Sequence, residues 1–275
     1  MLSHEKGFEV KVLPVTDRGE LDLDVLPELL SSRTKLVALT QVSNTLGTIN
    51  PVSEIIEAAH AQGALVLLDS AQAVPCMPVD VQDLDCDFLA FSGHKLFGPT
   101  GIGVLYAKHE HLIDMPPFMG GGDMILSVSF DEICYNKPPY RFEAGTPNIA
   151  GAIGLGRAIE YVKDIGFDAI TAHEQYLLQA ATTSLESMDG VRIIGTASEK
   201  SSILSFVIDG VHPHDIGSIF DSCGVAIRAG HHCTQPLMAR YKLPATARAA
   251  FSIYNTLDDV ERLIAAIHKV KDIML

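Results

Sequence analysis

Two short apolar runs in this chain stop directly at side chains able to do chemistry. Ala64–Leu68 leads into Asp69, and Phe88–Phe91 leads into Ser92-Gly93-His94-Lys95. Apolar runs of four or five residues bounded by turn formers read as strands buried on both faces, the kind found in parallel sheets covered by helices. In open α/β sheets, ligands collect at the carboxyl ends of the strands. The two runs therefore place Asp69 and the Ser92 to Lys95 segment at one working edge.

The remaining elements extend this α/β reading. Lys35–Leu39 is a further strand, followed by a helix with Asn50 as N-cap, Pro51 at its first position and Gly63 at its end. Gly103–Tyr106 reads as another strand. Ile149–Lys163 and Asp168–Met188 are helical and meet near Gly166. Strands then follow at Val191–Ile194 and Ile203–Ile208, and a helix runs from Pro213 to Cys223 with Gly224 ending it. Val225–Ala229 and Ala247–Ile253 read as strands, and a last helix starts at Thr256, where Asp259 completes a capping box. The expected organisation is a mainly parallel large domain over residues 1–165 and a smaller α+β domain over 166–275.

Composition narrows the partners. A net charge of −14 argues against a polyanion, and no clustered basic face suited to nucleic acid is present. No apolar run is long enough to span a bilayer, and the five cysteines are scattered and odd in number, so reduced thiols in the cytoplasm are expected.

Asp69 and Gln72, in Asp69-Ser70-Ala71-Gln72, can hold a protonated pyridine nitrogen and a ring hydroxyl, as pyridoxal phosphate (PLP) requires; the alternative is that Asp69 caps the following turn. Lys95 suits a Schiff-base lysine, with Ser92 and His94 as donors to a phosphate, against the alternative of a surface lysine after a strand. Cys233 closes Arg228-Ala229-Gly230-His231-His232-Cys233, where positive charge favours a thiolate, the form that attacks sulfur. An inert buried cysteine and a zinc ligand are the competing readings; adjacent residues rarely converge on one ion, which disfavours the metal. Cys76, Cys86, Cys134 and Cys223 read as inert. Arg248, at a strand of the second domain, can fork onto a substrate carboxylate or form a surface ion pair. The pairs His109/His111 and His212/His214 read as turn or cap residues.

Six segments in order resemble those of cysteine desulfurases of the SufS-type branch of the class V aminotransferase family. They are Gln41-Val42-Ser43-Asn44-Thr45-Leu46-Gly47-Thr48, Asp69-Ser70-Ala71-Gln72, Ser92 through Gly101, Arg141-Phe142-Glu143-Ala144-Gly145-Thr146-Pro147, Arg228 through Cys233, and Ala247-Arg248-Ala249. The resemblance covers essentially the whole chain. It implies the PLP-dependent transferase fold of type I, of which this chain lacks roughly the N-terminal third. That third would supply the histidine that stacks on the cofactor ring and the phosphate-binding turn.

The resemblance also implies roles. Lys95 would carry PLP and then move the substrate α-proton, while Asp69, Gln72, Ser92 and His94 would hold the cofactor. Asn44 would face the cofactor and substrate region, Thr146 would reach the phosphate of a partner subunit in a homodimer, and Arg248, with Asn44 and Arg228, would bind the substrate. Cys233 would take the sulfur of L-cysteine as a persulfide, leaving L-alanine, and a sulfur-acceptor protein would collect it for iron-sulfur clusters or other uses. The same constellation would serve a selenocysteine lyase or a cysteine sulfinate desulfinase. An inactive fragment that keeps a dimer or acceptor surface is the reading from another class.

Overall fold

The computed structural model describes residues 1–275. The chain opens with two short helices, α1 (Leu2–Lys6) and α2 (Leu26–Leu29), and then alternates: β1 (Leu36–Thr40), α3 (Val52–His60), β2 (Leu65–Asp69), α4 (Val81–Leu84), β3 (Phe88–Ser92), β4 (Gly103–Ala107) and α5 (His109–Asp114). A hairpin of β5 (Ile125–Val128) and β6 (Ile133–Tyr135) leads to the long helices α6 (Ile149–Ile165) and α7 (Phe167–Glu186). After these come β7 (Val191–Ile194), β8 (Ile203–Ile208), α8 (Pro213–Ser222), β9 (Arg228–Gly230), α9 (Gln235–Tyr241), β10 (Thr246–Ala250) and α10 (Leu257–Met274).

These elements form two compact units. One comprises Thr34–Thr40 and Val52–Phe167; the other comprises Met1–Arg33, Gln41–Pro51 and Asp168–Leu275. Compactness thus groups the first 33 residues and Gln41–Pro51 with the C-terminal part, unlike a linear division at 165/166. Hydrogen bonds show why for the second segment: Ser205 Oγ donates to Thr45 O over 2.5 Å, and Thr48 bridges Lys200.

The first unit holds a sheet in the order β1-β2-β3-β4. β1, β2 and β3 run parallel and β4 is antiparallel to β3. α3 carries apolar residues at helical spacing, Val52, Ile55, Ile56 and Ala59, all buried. Val52, Ile56 and Ala59 meet Val66, Leu68 and Leu89 of the strands in one core. The helix runs from Val52, one residue after Pro51, and the buried Asn50 before it donates its N–H to Gln41 O.

The second unit holds the antiparallel order β7-β8-β10-β9. All six residues of β8 are buried, as expected of a central strand covered on both faces. α7, α8 and α10 supply the cover, with Leu177, Phe220 and Leu263 in the same core as Phe206. The capping box at Thr256 and Asp259 opens α10. The strand expected at Val225–Ala229 is instead Arg228–Gly230. Val225 N–H still bonds Phe220 O at the exit of α8, so Val225 is committed to the helix end and not to a ladder.

Candidate active site

In the parallel unit, Asp69 ends β2 and pairs in register with Ala90, two residues before Ser92 at the end of β3. Both side chains therefore stand at one edge of the sheet. The exposed Asp69 turns into the next segment through Oδ1, which accepts from Ala71 N–H at 3.0 Å, and Gln72 lies half-buried in that turn. After Ser92 the chain makes a single 3-10 turn over Gly93–Lys95. Its tightness requires glycine: a Cβ on Gly93 would lie 2.7 Å from Ile102 Cγ2, and one on Gly98 would lie 2.9 Å from Gly93 O. Gly93 N–H bonds Ile102 O and Gly98 N–H bonds Gly93 O, each at 2.9 Å. These bonds hold the half-buried Lys95 in a short closed loop, with His94 exposed beside it. Asn148 ties the same loop to α6: its Nδ2 donates to Gly101 O at 3.1 Å while Oδ1 caps Gly151 N–H. Thr146 lies exposed two residues before it.

In the antiparallel unit, Arg228 begins β9, and the chain beyond it turns sharply. His232 and Cys233 both take left-handed backbone conformations, with φ of 53° and 63°. Each such non-glycine residue costs about 1–2 kcal/mol, so the surroundings must hold the turn. Three sets of bonds do so. His232 Nε2 sits 2.9 Å from Thr246 Oγ1 and 3.1 Å from Thr246 O on β10. Asn44 Nδ2 donates to His232 O at 2.8 Å, and Arg248 Nη1 donates to Asn44 O at 2.6 Å. Thr234 N–H closes the turn onto His231 O at 2.8 Å.

A carbonyl oxygen only accepts, so the bond to Thr246 O assigns the ring proton to Nε2. Nδ1 is then a buried acceptor with no partner. Burial, reinforced by the positive charge of Arg248, pushes the pKa of His232 down to about 4. The sequence offers Arg228, His231 and His232 as groups that could favour a Cys233 thiolate through positive charge or proton acceptance; the low pKa of His232 removes the first of these for that residue. Arg228 is the cation that reaches the thiol, with Nη2 3.9 Å from Sγ. Cys233 itself is exposed on a cavity of about 340 Å³ lined by Arg228, His231, His232, Gln235 and Pro236. Arg248 is half-buried, its Nε without a partner, and burial together with Arg228 pushes its pKa below the ordinary value.

The expected residues thus gather in two sets. Asp69, Gln72, Ser92, His94, Lys95 and Thr146 belong to the parallel unit, and Asn44, Arg228, Cys233 and Arg248 to the antiparallel one. Cys76 and Cys86 are buried, Cys134 is partly covered, and Cys223 is exposed at the end of α8. His212 caps α8 by accepting from His214 N–H at 3.2 Å. His111 is no simple turn residue: it bonds Asp87, which sequence reading passed over. The lock between His232 and Thr246 was equally invisible, because nothing in His231-His232 marks which ring turns inward.

The donor set at the parallel unit's edge fits PLP. A carboxylate at Asp69 suits a pyridinium, the hydroxyl of Ser92 and the imidazole of His94 suit a phosphate, and the amine of Lys95, on a loop closed by backbone bonds, suits an aldehyde carbon. Residues 1–263 match Aminotransferase class-V, and the chain belongs to that family. It is 52% identical over 271 residues to a cysteine desulfurase of Dickeya dadantii, covering 98% of this chain and 66% of that protein. A cysteine desulfurase of Synechococcus elongatus is 53% identical over 270 residues, with 98% and 43% covered. Among solved structures, the Escherichia coli cysteine desulfurase CsdA in an S-sulfonic acid form superposes with a TM-score of 0.95 at 41% identity, over 100% of this chain and 68% of that one. The apo cysteine desulfurase of Thermococcus onnurineus gives 0.94 at 39% identity, with 98% and 68% covered. The chain therefore spans about two thirds of the length of the Dickeya relative and less than half that of the Synechococcus one.

Proposed function

We propose that this chain serves a PLP-dependent cysteine desulfurase that converts L-cysteine to L-alanine and transfers the sulfur to Cys233. The observation that carries the reading is Cys233 itself, exposed on a cavity wall with the Arg228 guanidinium 3.9 Å from its sulfur. Selenocysteine or cysteine sulfinate cleavage needs no thiol attack, so a cysteine built into a cation-lined cavity favours sulfur transfer.

Bound PLP supplies an electron sink that labilises bonds at the Cα and Cβ of an amino acid. Asp69 pairs with the pyridinium, Gln72 with the ring hydroxyl, and Ser92 and His94 with the phosphate. Lys95 would hold the cofactor, and its amine would carry the α-proton of the substrate. Arg248 pairs with the substrate carboxylate, with Asn44 and Arg228 completing that region. The Cys233 thiolate attacks the substrate sulfur, an S–S bond forms, and the Cβ–S bond breaks. The carbon skeleton takes up a proton and leaves as alanine, so L-cysteine and one enzyme thiol give L-alanine and one enzyme persulfide. An acceptor protein then removes the outer sulfur, for iron-sulfur clusters or another use.

Thr146, exposed in the segment leading to α6, would reach the phosphate held by a second copy in a homodimer. We assign the protein to the reducing cytoplasm, a reading supported by five free cysteines. No helix is long and apolar enough to cross a membrane.

The test is alanine production from L-cysteine by the full-length or reconstituted enzyme, loaded with PLP, in the presence of a dithiol, followed by borohydride reduction. Alanine should form, and the cofactor should be recovered on the peptide containing Lys95. Recovery on the peptide of Lys108 or Lys137, or alanine production undiminished in Cys233→Ala, contradicts the reading.

A further inference from the structure

We propose that His232 is the positioning residue of the Cys233 turn: its buried ring anchors a doubly left-handed backbone to β10 and so sets where the Cys233 sulfur stands relative to Arg228. The inference rests on the reading of Cys233 as the sulfur-accepting thiol, and it assigns the neighbouring histidine a mechanical part in that chemistry.

Three observations converge. First, the basic side chains of the segment divide. Arg228 and His231 are exposed, whereas His232 is 1% exposed and Thr246, its partner, is fully buried. Second, the anchor lies on the strand that already pairs with the start of the turn. Thr246 is in register with Gly230, so the bonds from Nε2 pull the chain back onto the ladder it has just left. Third, the hold is a closed ring of bonds. From Thr246 it passes to the His232 ring, from His232 O to Asn44 Nδ2, and from Asn44 O to Arg248 Nη1, returning to β10 two residues from its start. Thr246 and Arg248 point to the same face of β10, which lets the ring close without distorting the strand. Left-handed residues persist only where their surroundings over-determine them. The ring meets that requirement at His232, and Cys233 follows immediately.

Histidine suits this position through its far nitrogen. A glutamine amide reaches about as far as Nε2 and can donate to Thr246 O, whereas asparagine reaches only as far as Nδ1. Asparagine tolerates the left-handed region better than most residues. The two substitutions therefore separate anchoring from backbone preference.

The experiment measures alkylation of Cys233 by iodoacetamide in the full 275-residue chain, read by peptide mass spectrometry, with thermal unfolding followed in parallel. A cation beside a thiol favours the reactive thiolate, so Arg228→Gln should slow alkylation about threefold or more in the parent. In His232→Asn the same Arg228→Gln change should alter the rate less than about twofold, because the sulfur is no longer held beside the guanidinium; groups in one network couple in this way. In His232→Gln the sensitivity to Arg228→Gln should return. Should His232→Asn fail to fold, Thr246→Val, which removes the hydroxyl but keeps the carbonyl and the bulk, carries the comparison. An equal effect of Arg228→Gln in all backgrounds, no effect in the parent, or a glutamine variant that behaves like asparagine overturns the proposal. Coupling as described, in a protein that forms no persulfide, would leave the positioning role standing and sink the sulfur-transfer reading.

Discussion

Arg248 has two demands on one guanidinium. Nη1 is spent on Asn44 O, which braces the Cys233 turn, while the partnerless buried Nε leaves donor capacity unused within the protein. A substrate carboxylate would use that capacity, since a guanidinium forks onto carboxylates through paired donors. Arg248→Ala should therefore weaken substrate binding by about 1.5–3 kcal/mol, the range for hydrogen bonds to charged groups. The cofactor spectrum should stay nearly unchanged, because the residues proposed for PLP lie on other strands. Titration of the PLP-loaded variant with L-cysteine checks both halves. Normal substrate affinity combined with loss of PLP would make Arg248 a structural residue only.

His232 makes stability depend on pH in a defined direction. Its pKa lies near 4 in the folded protein, against an ordinary value of 6.5. Above pH 6.5 the ring is neutral in both states. Between 6.5 and 4 the unfolded chain binds a proton that the folded one refuses, so stability falls as pH falls through this window. At about 1.4 kcal/mol per pH unit, the loss by pH 5 is at most about 2 kcal/mol. His232→Gln removes the titrating group. Denaturant unfolding should show the variant losing less stability than the parent between pH 7 and pH 5, and equal losses would contradict the assignment of a neutral buried ring.

At the scale of elements, the end of the β2–β3 sheet opposite Asp69 and Ser92 is held by the buried carboxylate of Asp87. Asp87, immediately before β3, is buried, and its two oxygens meet His60 Nε2 from α3 and His111 Nε2 from α5, each at 2.8 Å. Val66 N–H of β2 donates to the same carboxylate at 2.7 Å, and Lys108 Nζ lies 3.5 Å away. Burial alone would raise the pKa of Asp87; the bonds from His60, His111 and Val66, with the charge of Lys108, outweigh it and bring the value to about 2. Removing Asp87 takes this partner from His111 and the Val66 N–H, while Lys108 and His60 keep Asp85, 2.6 and 3.6 Å away; breaking a buried charged pair costs about 3–5 kcal/mol. Asp87→Ala should destabilise the protein toward urea by about 3 kcal/mol, and a loss below about 1 kcal/mol would show that the clamp is dispensable.

Elements legible in the sequence are those whose signal is local. The apolar run Ile203–Ile208 is β8 residue for residue, and Thr256 with Asp259 marks the start of α10. Ser92 to Lys95 and Asp69 stand at strand ends because short buried strands leave little room for another register. Non-local features stayed hidden. Val225 looks like a strand residue but is held by Phe220 O, and Asp87 gains meaning only when α3, β2 and α5 converge on it. His232 is separated from His231 only by a threonine on β10, fourteen residues further on.

At the scale of the molecule, the residues proposed to hold PLP lie in the parallel unit, and Cys233 and Arg248, the latter proposed to bind the substrate carboxylate, lie in the antiparallel one. Each unit has its own core and its own sheet. The chain belongs to the class V aminotransferases, and the exposed Cys233 beside Arg228 is the feature on which the sulfur-transfer proposal rests. The most direct test is mass spectrometry of the full-length or reconstituted enzyme, loaded with PLP, after a single turnover of L-cysteine without reductant. One extra sulfur should be found on the peptide containing Cys233 and none in Cys233→Ser, which should still bind PLP. An extra sulfur on Cys76, Cys86, Cys134 or Cys223, with Cys233 unmodified, would contradict the account.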